Sequence, residues 1–206
     1  MTPSIITVPD PKLRQISQPV KSLDTKTTQF IKNLTSVLQT SATPGVGLSA
    51  IQVGVPLQLF ITAFPKDPNL PLSRWSKAKT TVQVYLNPHL VNHSTELTLG
   101  DDPKNRQLEG CLSIPHVWGH VWRYQWIDLE FIDPGSNYLT TRFSGFAARV
   151  IQHEYDHLNG ILFTDHLLGK SPIPGFTPLK IHHNHLFFEI DDHFTPVEKP
   201  EELVAW

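Results

Sequence analysis

The stretch QHEYDHLNG, residues 152–160, places His153, Glu154 and His157 in the spacing H-E-x-x-H. On a helix, side chains four residues apart meet over one turn, so two imidazoles at that spacing can hold one metal ion between them. A carboxylate beside them is then placed for proton transfer rather than ligation. The chemistry this suggests is metal-assisted hydrolysis. With His153 at the origin of a helical wheel, His157 falls at about 40°, Val150 at about 60°, Phe146 at about 20° and Glu154 at about 100°. Ala147, Ile151, Tyr155 and Leu158 occupy the far side. A helix apolar on nearly all sides is a buried one. Two imidazoles on one face of such a helix need partners, and a metal is one partner for both.

A catalytic metal site wants a third protein ligand and one open position. The sequence after His157 reads LNGILFTDHLL, without a metzincin-type third histidine, and His166 falls past the expected helix end. Cys111, in LEGCLSIP, is the better candidate. A free cysteine is most often a small buried hydrophobe, but this one is the only cysteine in the chain and stands in a glycine-containing strand-edge context.

The elements that must position these residues follow from patterning. Phe30, Ile31, Leu34, Val37 and Leu38 mark one face of a helix over residues 25–40, with Asp24 or Ser22 as N-cap. TPGVGLSAIQ reads as a small-residue loop leading to a strand near PLQLFITAF. Residues 65–79 and 100–107 read as long exposed loops, and TVQVYL and TELTL as short strands. Ile127, Leu129 and Phe131 alternate with Asp128 and Glu130 in a half-buried strand. DPGSN then turns the chain into YLTTRF. Ser144 caps the helix that carries the histidines, which closes near Asn159-Gly160. Beyond Gly169, prolines 172, 174, 178, 196 and 200 exclude a long helix, and LFFEI is one further strand. The expected fold is α+β, with antiparallel or mixed sheets around a central metal-binding helix and two helices in all.

The bulk numbers narrow the function classes. The chain has 206 residues, 39% hydrophobic and 17% charged, with a net charge of -2. That is one ordinary globular domain's worth of core, with no basic excess to suggest nucleic acid or an anionic membrane. No apolar run approaches a membrane span of roughly 20 residues. The opening MTPSIITVPDPK lacks the pattern of a secretory signal. A single cysteine excludes an internal disulfide and fits a reducing compartment.

Three motifs, in order, resemble those of the peptide deformylase family. GVGLSAIQ, residues 45–52, is similar to that family's G-x-G-L-A-A-x-Q. EGCLS, residues 109–113, matches in full, and QHEYDHLNG matches Q-H-E-x-D-H-L with its following glycine. The opening ITVPDPKLRQISQPV also looks like the family's N-terminal segment. The resemblance covers roughly residues 5–168 and implies one deformylase-like catalytic domain, with 170–206 as a divergent proline-rich tail.

What the resemblance implies is specific. One divalent metal, Fe(II) favoured over Zn, Ni or Co, is held by Cys111, His153 and His157. Water is activated there, and Glu154 carries its proton during hydrolysis of the N-formyl group of formyl-methionyl peptides. The Gln52 side-chain amide and the Leu112 backbone N–H are the oxyanion donors. Gly45, Val46 and Gly47 meet the substrate backbone, joined by Glu109 and Gly110, while Phe146 and Val150 wall a methionine pocket. The substrate peptide is the partner, with the ribosome as a transient one. The chain is expected to be a cytoplasmic monomer of bacterial type, or an organelle form after removal of a transit peptide.

The chain departs from the family at Ser49, where alanine is usual, and at Trp122 in V-W-R, where proline is usual. Arg123 is still expected to pair with Glu109. Trp118 and Trp122 either line the path of the peptide's later residues or cover core. His182, His183 and His185 are expected to lie in a solvated tail. The residues alone leave other readings open: a zinc endopeptidase, a thiol hydrolase built on Cys111, or a metal-binding homologue without catalysis.

Overall fold

The computed structural model describes residues 3–41, 45–70, 74, 78–100, 107–167, 186–190 and 193–196. Part of the expected 65–79 loop, most of the 100–107 loop and most of the tail, including His182, His183 and His185, lie outside them. Helix α1 spans Thr25–Thr40, and Asp24 caps it by accepting from the Thr27 N–H at 2.8 Å. Its buried face is Leu34, Val37 and Leu38, with Phe30 and Ile31 partly buried beside it. The strands are β1 (Gly47–Ser49), β2 (Leu59–Pro65), β3 (Thr80–His93), β4 (Leu97–Thr98), β5 (Glu109–Cys111), β6 (Ile114–Gly119), β7 (Arg123–Tyr124), β8 (Trp126–Ile132) and β9 (Tyr138–Ser144). Helix α2 (Gly145–Leu158) follows, then a short α3 (Phe163–Leu167) and strands β10 (Leu186–Ile190) and β11 (His193–Pro196).

These strands form a five-stranded sheet in the order β1-β2-β3-β8-β9, a four-stranded sheet β11-β10-β6-β5, and the pair β4-β7. Every pairing within them is antiparallel. The fold is thus α+β, as expected. Alternation along β8 buries Ile127, Leu129 and Phe131, and the Asp133–Asn137 turn returns the chain as β9. An aromatic group of Phe60, Tyr85, Phe131 and Phe143 fills the space between this sheet and α2, with Phe60–Tyr85 and Tyr85–Phe131 centroids both 4.7 Å apart.

Four local expectations are corrected. TVQVYL is the start of a 14-residue strand, long because it pairs with β2 on one side and β8 on the other. GVGLSAIQ is no plain loop: it contains β1 and a 3-10 turn at Ala50–Val53. A third short helix, α3, follows Gly160. Ser144 precedes α2, but its side chain does not cap the helix; both its N–H and hydroxyl point to Asn69 Oδ1, at 2.8 and 3.1 Å.

The N-terminal segment crosses all three motif regions. Ile6 N–H donates to the Gln52 carbonyl (2.8 Å), Val8 N–H to Ser113 (3.0 Å) and Ser17 N–H to Leu158 (2.8 Å). Arg14 closes the far end with Asp165 and the Gly160 carbonyl. Gly160 has a φ of +71°, and a Cβ there would lie 2.5 Å from the Arg14 carbonyl oxygen.

Candidate metal centre

Helix α2 is buried along most of its length, including Arg149, His153, Glu154, Asp156 and His157. It packs on β1, β2, β7, β8 and β9, so its charged residues must be paired or pushed toward their neutral forms. The ligand-capable atoms of Cys111, His153 and His157 all lie within 4.8 Å of one another. Cys111 Sγ is 3.2 Å from His157 Nε2. Glu109 Oε1 accepts from His153 Nδ1 at 2.7 Å, which leaves Nε2 as the atom His153 can offer. A carboxylate on the outer nitrogen fixes the tautomer of a metal-binding imidazole and raises its basicity. The donor set of one thiolate and two imidazoles suits a first-row transition ion.

Electrostatics prepare the same atoms. Burial alone would raise the Cys111 thiol, but the neighbouring His157 and His153 outweigh it and hold it at about 5. Burial would lower His153, yet its bonds to Cys111 and Glu109 push it well above the ordinary imidazole range. Glu154 shows the opposite result: burial pushes its carboxyl up to about 7, against the opposing pull of both imidazoles. Its Oε2 has no hydrogen-bond partner among the described residues. Gly47 lies against it, and a Cβ there would be 2.9 Å from both Cγ and Cδ of Glu154.

Gln52 is held from behind. Its Oε1 accepts from the Ser49 N–H (2.9 Å) and hydroxyl (3.0 Å), so its amide nitrogen faces Cys111 Sγ (3.4 Å) and Ser113 Oγ (3.3 Å). Serine in place of the usual alanine therefore adds a second donor that fixes the amide.

A buried charge network supports the ligands. Glu109 accepts from Arg123 Nη2 (2.5 Å), Arg123 Nε (3.2 Å) and Arg149 Nη1 (3.2 Å) besides His153. Arg123 Nη1 also donates to Asp156 at 2.5 Å, and Asp156 meets His166 Nε2 at 2.7 Å. The expected Arg123–Glu109 pair is present. His166, set aside as a ligand, is a partner of Asp156. Burial would raise Glu109, but Arg123 and His153 drive its carboxyl well below the usual range. Sequence reasoning missed Arg149 and Asp156. The available signal was two charges on a helix otherwise read as buried.

A cavity of about 650 Å³ opens beside these groups. Gly45, Val46, Gly47, Gln52, Glu109 and Gly110 line it, together with Cys111, Leu112, Phe146, Val150, His153 and Glu154. His157 lies behind it, buried against Cys111. Phe146 and Val150 belong to the core cluster as well as the cavity wall. Trp118 also lines the cavity; Trp122 does not, and is 38% exposed. The cavity runs between two sheet edges, β1 and β5.

Such a cavity, lined by part of a cluster able to bind metal and by a buried acid, is that of a metal-dependent hydrolase. Comparison makes the class particular. The polypeptide deformylase family model matches residues 2–172. A peptide deformylase from Novosphingobium aromaticivorans is 35% identical over 173 residues, covering 79% of this chain and 87% of that protein. The structure of the Thermotoga maritima peptide deformylase matches with a TM-score of 0.67 at 27% identity, covering 80% of this chain and 97% of that one. An Acinetobacter baumannii peptide deformylase with Met-Ala-Ser bound matches at 0.66 and 29% identity, covering 80% and 99%. The chain belongs to the polypeptide deformylase family.

Proposed function

We propose that Cys111, His153 and His157 hold one divalent metal ion and that Glu154 is the proton carrier of the deformylase reaction. The chain removes the N-terminal formyl group from nascent peptides. The observation that carries the site assignment is the convergence of one thiol and two imidazoles beside a buried carboxyl held at about 7. When bound, the metal supplies a Lewis acid that acidifies water and polarises the formyl oxygen. Glu154 accepts the proton of the attacking water and returns it to the departing amine, a task for which a carboxyl titrating near neutrality is matched. The Gln52 amide and the Leu112 N–H stabilise the developing oxyanion. Val46, just before β1, and Gly110 in β5 take the peptide as an added strand between the two edges. Phe146 and Val150 wall the methionine side chain. The Met-Ala-Ser seen in the Acinetobacter relative supports a substrate of this kind.

The donor set alone does not choose among first-row ions; the family resemblance favours Fe(II), with Ni, Co and Zn as alternatives. The active form is a monomer that meets chains transiently at the ribosome, in a bacterial-type cytoplasm or an organelle. No helix among the described residues is long and apolar enough to cross a membrane.

Anaerobically prepared Fe(II) or Ni(II) protein should release formate from formyl-Met-Ala-Ser, lose that activity to a chelator and regain it on metal return. Well-metallated protein that releases none would overturn the reading. A second test uses the close approach of Gly47 to the acid. Gly47→Ala must displace Glu154 or β1, and small misplacements of catalytic groups can cost about 10²-fold. A fall in kcat approaching that size is expected, with metal content unchanged by atomic absorption. Undiminished kcat would show that Glu154 need not hold this position.

A further inference from the structure

Strands β10 and β11 lie beyond the residues matched by the family model, which end at 172. β10 nevertheless contributes Glu189 to the cavity wall. β10 pairs with β6, with Phe187 opposite Trp118. This register brings Glu189 to the indole: Trp118 Nε1 donates to Glu189 Oε2 at 2.7 Å, and both residues line the same cavity as Cys111 and Glu154. The indole also lies across β5. A Cβ on Gly110 would be 2.7 Å from two of its ring carbons, so only glycine admits the ring there. Gly110 precedes Cys111, and the Trp118–Glu189 pair therefore begins about one strand residue from the thiol.

The chemistry of this pair is directional. Glu189 is half-buried, its bond from Trp118 comes from a neutral donor, and no salt bridge among the described residues neutralises it. The other carboxylate nearby, Glu109, is already matched by Arg123 and Arg149. A carboxylate beside an indole attracts a cation through both charge and the ring's quadrupole. On the deformylase reading, a peptide whose formyl end lies at Cys111 and Glu154 has Trp118 and Glu189 on the wall of the same cavity to meet its following residues.

We propose that Trp118 and Glu189 form a specificity subsite for a lysine or arginine side chain in the two residues after formyl-methionine. The proposal rests on the deformylase reading, but the subsite is supplied by a segment outside the family match. Glu189 is its specificity-determining residue, and Trp118 is both its second wall and its anchor.

The test compares kcat/KM for formyl-Met-Xaa-Ser and formyl-Met-Ala-Xaa, with Xaa as Lys or Glu. Lysine should be favoured by about five- to tenfold at one of the two positions, and the preference should shrink at high salt. Glu189→Gln keeps an acceptor for Trp118 Nε1 and removes only the charge. It should bring the Lys-to-Glu ratio to about one, through KM rather than kcat. A wild-type ratio near one at both positions, or a preference that survives Glu189→Gln, would overturn the subsite. Should no peptide release formate, the deformylase reading fails instead. Calorimetric binding of Met-Lys-Ser against Met-Glu-Ser to both proteins then decides the subsite without turnover.

Discussion

Glu154→Gln should leave a folded, metal-loaded protein whose kcat on formyl-Met-Ala-Ser is lower by about 10²–10⁴-fold, the range for loss of a positioned general acid–base. Glutamine has nearly the same shape, so the space left by Gly47 remains filled. It also lacks any role among the three converging ligands, so metal content should hold. What it cannot do is take a proton. The carboxyl's burial, which holds it at about 7, equips it to exchange one at neutral pH. Both kcat and kcat/KM should fall together, because the group acts only as the transition state forms. A decrease of less than about tenfold in fully metallated protein would assign proton transfer elsewhere.

Arg123→Ala should be the most damaging substitution for stability. Arg123 is 4% exposed and bridges two buried carboxylates, Glu109 and Asp156, from β7. Removing one partner of a buried pair leaves uncompensated charge and costs about 3–5 kcal/mol. For a chain of this size that lowers Tm by on the order of 10 °C. Arg149 and His153 still hold Glu109, whereas Asp156 keeps His166. Arg123→Lys should rescue only partly, since an ammonium cannot reproduce the fork that reaches both carboxylates. Calorimetry showing an unchanged Tm for Arg123→Ala would mean that the network contributes little to folding.

The site was legible in the sequence where its geometry is local. His153, Glu154 and His157 lie within five residues, and helical periodicity alone places both imidazoles on one face. Cys111 was reachable because it is the sole cysteine and lies in a motif resembling the family's. The Arg149–Glu109–Arg123–Asp156–His166 network was not, apart from its Arg123–Glu109 link, because it joins β5, β7, α2 and α3 through pairings that no local pattern encodes. The fold divided in the same way. Alternation marked β8 and a short apolar run marked LFFEI as strands, but nothing in LFFEI specifies β6 as its neighbour. Similarly, the length of β3 depends on partners at both of its sides.

The N-terminal segment carries a different consequence. Its backbone ties at Ile6, Val8 and Ser17 fasten the segments bearing Gln52, Cys111 and the histidine helix, one tie to each. These three segments share no short connection in sequence, so residues 6–17 work as a common ruler against which their spacing is set. A lesion in this strip would leave every chemical group intact and still detune the centre. None of residues 6–17 lines the cavity, yet the strip has the reach of a tuning element for the whole reaction.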